Sequence, residues 1–173
     1  SCLQEVKDWL KLNFLNLNES KTEIVMFGSS KQTLDLGVPF SSHVNNLGVM
    51  IDSSFKFDKQ ISSVVKTSFF QLRLMAKVKP YLPSNQLEKL VHMFISTRLD
   101  YCNSLYHGLD SASIRRLQLV QNAAARLLTG IRRYDHITPV LQSLHWLPVP
   151  FRIQFKILLL VFKSLNGLAP EYL

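Results

Sequence analysis

The fold of this chain is decided by the stretch NLGVMIDSS, residues 46–54, where the sequence pattern changes from that of a strand to that of a helix. Residues 44–51 are mostly apolar and include β-branched side chains, which favour a strand. The Asp-Ser-Ser that closes the stretch consists of residue types that commonly cap a helix. From there to residue 79, apolar side chains recur at spacings of three and four, as in an amphipathic helix. The sequence therefore predicts a β part up to residue 52 and an α part after it.

The residues before this stretch predict one helix and a small antiparallel sheet. Apolar side chains at spacings of three and four predict a helix over residues 4–14, and the polar residues 16–20 predict a turn. Residues 23–27 predict a strand that is buried on both faces, and residues 34–36 predict another. Together with residues 44–51, these strands would form the sheet.

Five helices are predicted after the stretch. Their ranges are residues 55–79, about 85–99, 112–129, 139–144 and 151–165. The expected buried face of the first helix consists of Phe57, Ile61, Val65, Phe69, Leu72 and Ala76. We expect Ser84 or Asn85 to cap the second helix, Asp110 with Ser111 to cap the third, and Gly130 to end the third. The last helix is apolar nearly all round, which predicts a place at the centre of a helical bundle.

The positive charge of the chain is concentrated after residue 52. The net charge is +8, and residues 1–52 contain four Lys and six acidic residues, a net charge of −2. Residues 53–173 contain sixteen Lys or Arg and six acidic residues, a net charge of +10. Positive charge segregated in this way indicates contact with a polyanion such as nucleic acid. The alternative is a basic surface that serves only solubility.

Composition excludes several other classes of protein. Hydrophobic residues make up 47% of the chain and charged residues 18%, which supports a packed core and argues against disorder. The two Cys match no metal-ligand or disulfide pattern and fit a reducing compartment. The longest apolar run is residues 157–162, whereas a membrane span needs roughly 20 residues. We therefore expect a soluble, intracellular protein of the cytoplasm and nucleus.

Several short motifs follow each other in a fixed order along the chain. They are residues 9–13, the turn Asn18-x-x-Lys21-Thr22, and residues 47–52, 98–105, 118–128 and 144–148. In this order they resemble the palm end and thumb of reverse transcriptases from retrotransposons without long terminal repeats, the long-interspersed-element type. The resemblance implies an α+β fold. Residues 1–52 would be the C-terminal end of the palm, a small antiparallel β-sheet with a helix, and residues 53–173 a mainly α-helical thumb-like bundle, truncated at its C-terminus.

The resemblance also implies a part of an RNA-directed DNA polymerase that holds template and primer. Such polymerases bind two metal ions through paired carboxylates, which the family carries upstream, and this sequence contains no Asp-Asp pair. We therefore expect a fragment that is inactive alone and holds no cofactor, with Mg²⁺ bound only in the full-length enzyme. Its expected partners are the RNA template, the DNA primer or target, and the missing N-terminal palm and fingers, with no membrane. The alternatives are a domesticated or stand-alone nucleic-acid-binding module and a non-functional remnant of an element.

Lys21 and a short hairpin are the candidate residues of the polymerase site. The resemblance implies that Lys21 is a general acid that protonates the leaving pyrophosphate. The alternative is a solvated Lys in a turn. The resemblance also implies a primer grip, which would hold the 3′ end of the primer, at Leu47, Gly48 and Val49. The alternative there is an ordinary hairpin strand.

Two sets of cations are candidates for contact with phosphates. The first set lies at spacings of seven, seven and four along the first long helix, in one narrow line, and consists of Lys59, Lys66, Arg73 and Lys77. The second set consists of Arg115, Arg126, Arg132 and Arg133. Phosphate contacts need positive charge but no base-specific pattern, and the alternative is an ordinary solvated helix face. The His and Cys residues match no common zinc spacing, so no metal site is predicted.

Overall fold

The computed structural model describes residues 2–28 and 40–172, and within them the protein is α+β. The chain divides into two compact units, Ser1–Phe55 and Lys56–Leu173. The first unit contains helix α1 (Cys2–Leu12) and an antiparallel sheet of β1 (His43–Asn46) and β2 (Val49–Asp52). The described residues of the second unit form helices and the turns between them. These helices are α2 (Asp58–Val78), α3 (Ser84–Val91), α4 (Thr97–Asp100), α5 (Ser111–Thr129), α6 (Thr138–Ser143) and α7 (Val149–Leu165).

The described residues of the first unit have less β structure than the sequence predicts for them. Helix α1 confirms the predicted helix, although none of its residues is buried. The strand predicted over residues 23–27 is wrong, because the described residues of this segment make a single isolated bridge, from Ile24 to Phe40. One bridge does not form a ladder, and residues 24–26 are half-buried rather than buried on both faces. The strand predicted over residues 34–36 lies outside the described residues.

The hairpin of β1 and β2 closes with a two-residue turn at Leu47 and Gly48. Their φ angles are 50° and 82°, and positive φ at both central positions is typical of the type I′ turn that suits the twist of paired strands. The strands pair in the register His43 to Asp52 and Asn46 to Val49. Gly adopts this backbone conformation without steric cost, whereas Leu47 adopts it against the preference of its side chain.

The cap expected for the first long helix is wrong. The Asp52 carboxylate accepts hydrogen bonds from the backbone N and the Oγ of Ser54, at 3.0 Å and 2.6 Å, and so stabilises a turn. Helix α2 begins later, at Asp58, after Phe57 in a left-handed conformation with no side-chain cap. Helix α3 likewise begins after Pro83, and neither Ser84 nor Asn85 caps it.

The buried face of α2 differs from the predicted face. Its buried residues are Gln60, Ile61, Val64, Ser68, Leu72 and Met75. Ala76 is exposed, and Val65 and Phe69 are only half-buried. A series spaced by four, such as the predicted one, drifts around a helix of 3.6 residues per turn. From Ile61 to Met75 the observed positions are spaced by three, four, four and three, an average close to one helical turn, so the face stays directed at α5, the helix that α2 packs against most extensively.

A π turn joins α3 to α4, so that residues 84–100 form one long helical segment. The turn is His92–Ser96. Four apolar side chains in this segment are buried and follow each other at intervals of four residues, namely Leu87, Val91, Ile95 and Leu99. In a regular α-helix this spacing would drift by about 40° per step. The wider π turn reduces the drift, which keeps these side chains on one buried face.

Helix α5 begins and ends where the sequence predicts. The Asp110 carboxylate accepts hydrogen bonds from the backbone N and the Oγ of Ser113, at 2.8 Å and 2.9 Å. The Ser113 backbone N–H is the main cause of a pKa of Asp110 below its ordinary value. Gly130 ends the helix with a φ of 74°, which glycine tolerates.

Two glutamines on α5 fasten the start of α7. Gln121, which is 1% exposed, donates from Nε2 to the Leu147 carbonyl at 2.8 Å. Gln118 accepts a hydrogen bond from the backbone N of Val149 at 2.8 Å, and its Nε2 donates to Gln121 Oε1 at 2.9 Å. The first N–H groups of a helix have no partner within the helix. Gln118, on the neighbouring helix, provides the acceptor for one of them.

The central position predicted for α7 is wrong. Only Val149 and Ile153 of this helix are buried. Five of its large apolar side chains are more than half exposed, namely Phe151, Phe155, Leu158, Phe162 and Leu165. Helix α7 therefore packs along one side against the rest of the second unit. None of the described helices has both the length and the hydropathy that crossing a membrane requires.

Candidate nucleic-acid interface

Helix α2 arranges four cations as one exposed line, called here the basic stripe, and these are Lys59, Lys66, Arg73 and Lys77. At about 100° per residue the four positions fall within about 40° of each other around the helix. All four side chains are exposed. With a rise of about 1.5 Å per residue, the line from Lys59 to Lys77 is about 27 Å long. That length is enough to follow several phosphates of one nucleic-acid strand.

A shallow groove lies in the middle of the basic stripe. Its lining residues are Ser63, Lys66, Thr67, Phe70 and Arg73. Phe70 is 50% exposed and lies four residues after Lys66 and three before Arg73, spacings that bring side chains together on one helix face. The groove thus combines two cations, two hydroxyl groups and one aromatic ring, which can contact the phosphates and the bases of nucleic acid.

Sequence reasoning missed Ser63, Thr67 and Phe70 as members of this site. Phe70 follows Phe69 directly, and the pair reads as part of the apolar face. The available signal was its position, because Phe70 falls between two stripe cations on the polar side of the helix.

Contacts with α5 fix the position of helix α2 and therefore of the basic stripe. Ile61 and Leu72, on the other side of α2, are 0% and 6% exposed. Arg116 donates from Nη2 to Ser62 Oγ at 2.8 Å. Just after the end of α2, Lys79 donates from Nζ to the Leu127 carbonyl at 2.5 Å. Leu127 lies near the C-terminus of α5, where a cation is favourable because of the helix dipole and the last free carbonyls. Lys79 therefore helps to hold α2 against α5.

The structure separates the second set of cations. Arg115 and Arg126 are eleven residues apart on α5, about 16 Å along the helix axis. Arg126 is half-buried and donates from Nη2 to the Asp135 carbonyl at 3.2 Å, which stabilises the loop after α5. In the same loop, the Arg132 backbone N donates to the Asp135 carboxylate at 2.7 Å, and the side chains of Arg132 and Arg133 are exposed. Arg126 therefore has a structural contact of its own.

Lys21 ends a single 3₁₀ turn, Glu19–Lys21, and its side chain is exposed. The backbone N of Lys21 donates to Asn18 Oδ1 at 3.2 Å, and Thr22 Oγ1 donates to the Asn18 carbonyl at 2.9 Å. The Asn and Thr of the motif thus shape the turn that presents the Lys.

The three predicted primer-grip residues have different environments. Leu47 is 85% exposed at the tip of the hairpin, next to Gly48 in the turn. Val49 begins β2 and is 3% exposed. The hairpin tip therefore offers a Leu side chain and a glycine backbone to a ligand, while Val49 contributes to the packing of the sheet.

A second polar cleft, which the sequence did not indicate, lies between α4 and α7. Arg152 Nη2 is 2.9 Å from Asp100 Oδ2, and Asn103 Nδ2 is 3.4 Å from Asp100 Oδ1. Lys156, Leu147, Phe155 and Leu159 complete the lining of a cleft of about 190 Å³. Burial raises the pKa of Asp100, and the positive charges of Arg152, Lys156 and His92 oppose this rise. Among the described residues, no group of three or more His, Cys, Asp or Glu is placed to hold a metal ion.

Comparisons of this chain with known protein families, with curated proteins and with solved structures find no match. The geometry of the chain and its sequence motifs are therefore the basis for proposing a function.

Proposed function

We propose that this chain binds template and primer through the basic stripe of α2, as the palm-end and thumb part of a reverse transcriptase of the long-interspersed-element type. The observation that carries the proposal is the basic stripe, four exposed cations in one line around the groove that contains Phe70. The stripe belongs to the part of the chain with a net charge of +10. The ordered sequence motifs that resemble this family supply the identity of the nucleic acid, an RNA template paired with a DNA primer.

The basic stripe suits recognition of a backbone more than recognition of a sequence. Lys and Arg contact phosphates through charge, and binding of this kind releases counterions and falls steeply with salt. Phosphate contacts fix the position of a duplex without reading its bases, as a polymerase requires when it moves along any template. Phe70 adds an aromatic face on which a base can stack where the strand is unpaired.

Lys21 and the hairpin tip would act only beside the catalytic carboxylates of a complete palm. In that setting the exposed ammonium of Lys21 would protonate the leaving pyrophosphate. The tip formed by Leu47 and Gly48 would hold the primer end. Both roles depend on the resemblance, and the hydrogen-bonded turn and hairpin give each residue a defined position.

A stand-alone nucleic-acid-binding module is the second candidate, and the division of the chain favours it. The compact unit Lys56–Leu173 contains the complete basic stripe together with the buried face behind it. A coding sequence for adjacent Asp residues directly upstream of Ser1 would favour the polymerase. A start codon at that place would favour the module.

The test replaces all four stripe residues, Lys59, Lys66, Arg73 and Lys77, by Gln. None lies on the buried face of α2, so the thermal unfolding temperature should not change. Affinity for an RNA–DNA hybrid should fall. On duplex DNA, each lost phosphate contact should flatten the log–log salt dependence of the binding constant by about 0.9.

The matched control removes the same charges elsewhere. It replaces three Lys and one Arg that are also exposed, namely Lys11, Lys89, Arg98 and Lys163. Both variants lower the net charge equally, so a general effect of charge would weaken binding equally in both. The proposal requires the stripe variant to bind much more weakly than the control. Equal affinity and equal salt dependence in the two variants would reduce the stripe to a solvated surface.

A further inference from the structure

Helix α7 carries a continuous apolar stripe on the side that faces away from its own core, called here the seam. The seam consists of Phe151, Phe155, Leu158, Phe162 and Leu165. These side chains are between 55% and 82% exposed, whereas Val149 and Ile153, on the other side of the helix, are buried. Large exposed apolar patches on a folded protein mark interaction surfaces. The seam therefore requires an explanation that the packing of the second unit does not give.

The spacing of the seam is that of a coiled coil. Its five residues follow each other at intervals of four, three, four and three. This pattern repeats every seven residues and corresponds to the a and d positions of two heptads. Side chains at a and d of one helix insert between those of a second helix that crosses at about 20°. The seam thus fits a second helix of similar length with the same periodic surface.

The positions that flank the seam allow a second copy of the same helix. In heptad terms the flanks are Arg152 and Leu159 on one side and Gln154 and Val161 on the other. Charges at these positions select the partner of a coiled coil. The one charged flank residue, Arg152, is paired with Asp100 at 2.9 Å. The flanks therefore neither demand an oppositely charged partner nor repel an identical helix.

The area of the seam is sufficient for a specific dimer. If a large side chain has a surface of ~150–250 Å², the seam exposes on the order of 600 Å². Two seams in contact would then bury on the order of 1,200 Å², at the lower end of the range for specific interfaces. A two-fold dimer uses the same patch on both copies, and an apolar seam is complementary to itself.

We propose that this chain forms a two-fold dimer in which the seam of α7 packs against the seam of a second copy. Leu158 is the midpoint of the seam, so it meets Leu158 of the other copy whether the two helices run parallel or antiparallel. The surface concerned is separate from the residues of the basic stripe, and the proposal stands independently of nucleic-acid binding.

The test is sedimentation equilibrium of the full chain over a range of micromolar concentrations. The unmodified chain should show a monomer–dimer equilibrium. Leu158→Glu should weaken dimerisation at least ~30-fold, as expected for a central interface residue. Leu168→Glu is the matched control, with the same substitution at a Leu of equal exposure, 65% against 66%, that lies beyond the end of α7 and outside the seam, and it should leave the dimer intact. Circular dichroism spectra of both variants establish that they fold.

Each other outcome overturns the proposal. A chain that is monomeric up to hundreds of micromolar, or one that forms aggregates without a defined stoichiometry, has no specific seam contact. Equal dimerisation of Leu158→Glu and the unmodified chain would place the interface elsewhere. A monomer that binds vesicles of equal parts phosphatidylcholine and phosphatidylserine, and loses this binding in Leu158→Glu, would assign the seam to a lipid surface. As a check that does not depend on a disruptive variant, and in a chain whose own Cys2 and Cys102 are replaced by Ser, Leu158→Cys should form a disulfide-linked dimer under mild oxidation, whereas Lys163→Cys should not.

Discussion

At the scale of single residues, Asp110 shows how one side chain sets the beginning of a helix. Its carboxylate accepts two hydrogen bonds from Ser113, and these bonds are stronger when the carboxylate is ionised. Because they hold the pKa of Asp110 below its ordinary value of 3.8, the ionised carboxylate stabilises the folded state. The sign of the effect on stability follows from linkage between proton binding and folding. The contribution is present above the ordinary pKa and is lost as the pH falls through the lowered value.

We predict that Asp110→Ala lowers the thermal unfolding temperature at neutral pH. The difference from the unmodified chain should shrink as the pH falls from 3.8 through the lowered pKa of Asp110, because the carboxylate is then protonated first in the unfolded chain and afterwards in the folded chain. Asp110→Asn is the control, since Asn caps helices without a titrating group. Thermal unfolding followed by circular dichroism measures both. A difference between Asp110→Ala and the unmodified chain that is constant from neutral to strongly acidic pH would contradict the prediction.

Single residues with strong local preferences allowed helix ends to be predicted from the sequence, whereas the buried face of a helix could not be predicted in this way. Asp110 and Gly130 are residue types with strong local preferences, and they mark the ends of α5 where predicted. Ala76 was assigned to the core on spacing alone and is exposed. Val64, Ser68 and Met75 are buried instead, because the direction of the buried face depends on where α5 lies, which no local pattern contains.

At the scale of elements, the joint between α5 and α7 depends on two glutamine amides, of which Gln121 is buried and Gln118 half-buried. Gln121 satisfies the Leu147 carbonyl just before α7, and Gln118 satisfies the first N–H of that helix. A buried polar group that loses its partner costs about 1–3 kcal/mol. The two glutamines therefore fix where α7 begins, and with it the position of the seam.

We predict that Gln121→Ala lowers the free energy of unfolding by about 1–3 kcal/mol, because it leaves the Leu147 carbonyl without its donor. Urea denaturation measures the change. Gln142→Ala removes the same side chain from an exposed position on α6 and should change stability by no more than about 0.5 kcal/mol. Equal effects of the two substitutions would show that the buried amide contributes nothing specific.

The prediction for α7 failed at the same scale. Its composition gives a helix that is apolar nearly all round, and this led to a central position. The observed helix buries only Val149 and Ile153. A sequence can indicate that a surface avoids water, but it does not say whether the covering partner belongs to the same chain. The heptad spacing of the seam is the feature of the α7 sequence that favours contact with a second helix over enclosure in the core of the same chain.

At the scale of the whole molecule, the α+β class and most helix positions could be predicted, whereas the residues of the candidate interface could be predicted only in part. The basic stripe follows from helical periodicity, which is a local property. The contact of Arg126 with the loop carbonyl of Asp135 depends on how that loop folds back on α5, which helical periodicity does not contain. The cleft around Asp100 and Arg152 joins residues 52 positions apart, which no short motif could indicate.

We predict that the purified chain incorporates no nucleotide on an RNA template with a DNA primer and Mg²⁺. Two-metal nucleotidyl transfer requires carboxylates that hold both ions, and the sequence has no adjacent pair of Asp residues. A primer-extension assay, with an active reverse transcriptase as the positive control, measures incorporation. Extension above background by a preparation free of other polymerases would refute the fragment interpretation.

The π turn His92–Ser96 contains one residue more than a regular α-helix would have over the same segment. Hydrogen bonds there span five residues, whereas those of an α-helix span four, so deleting one residue can convert the turn to regular helix. Leu99 and Asp100 would keep their directions. Met93 is 56% exposed, and we predict that its deletion yields a folded chain with nearly unchanged thermal stability.

Deletion of Lys89, in the regular helix before the turn, would rotate the residues on either side of it by about 100° relative to each other. Such a variant should unfold at a much lower temperature, so this helix can be shortened by one residue at the π turn but not at Lys89.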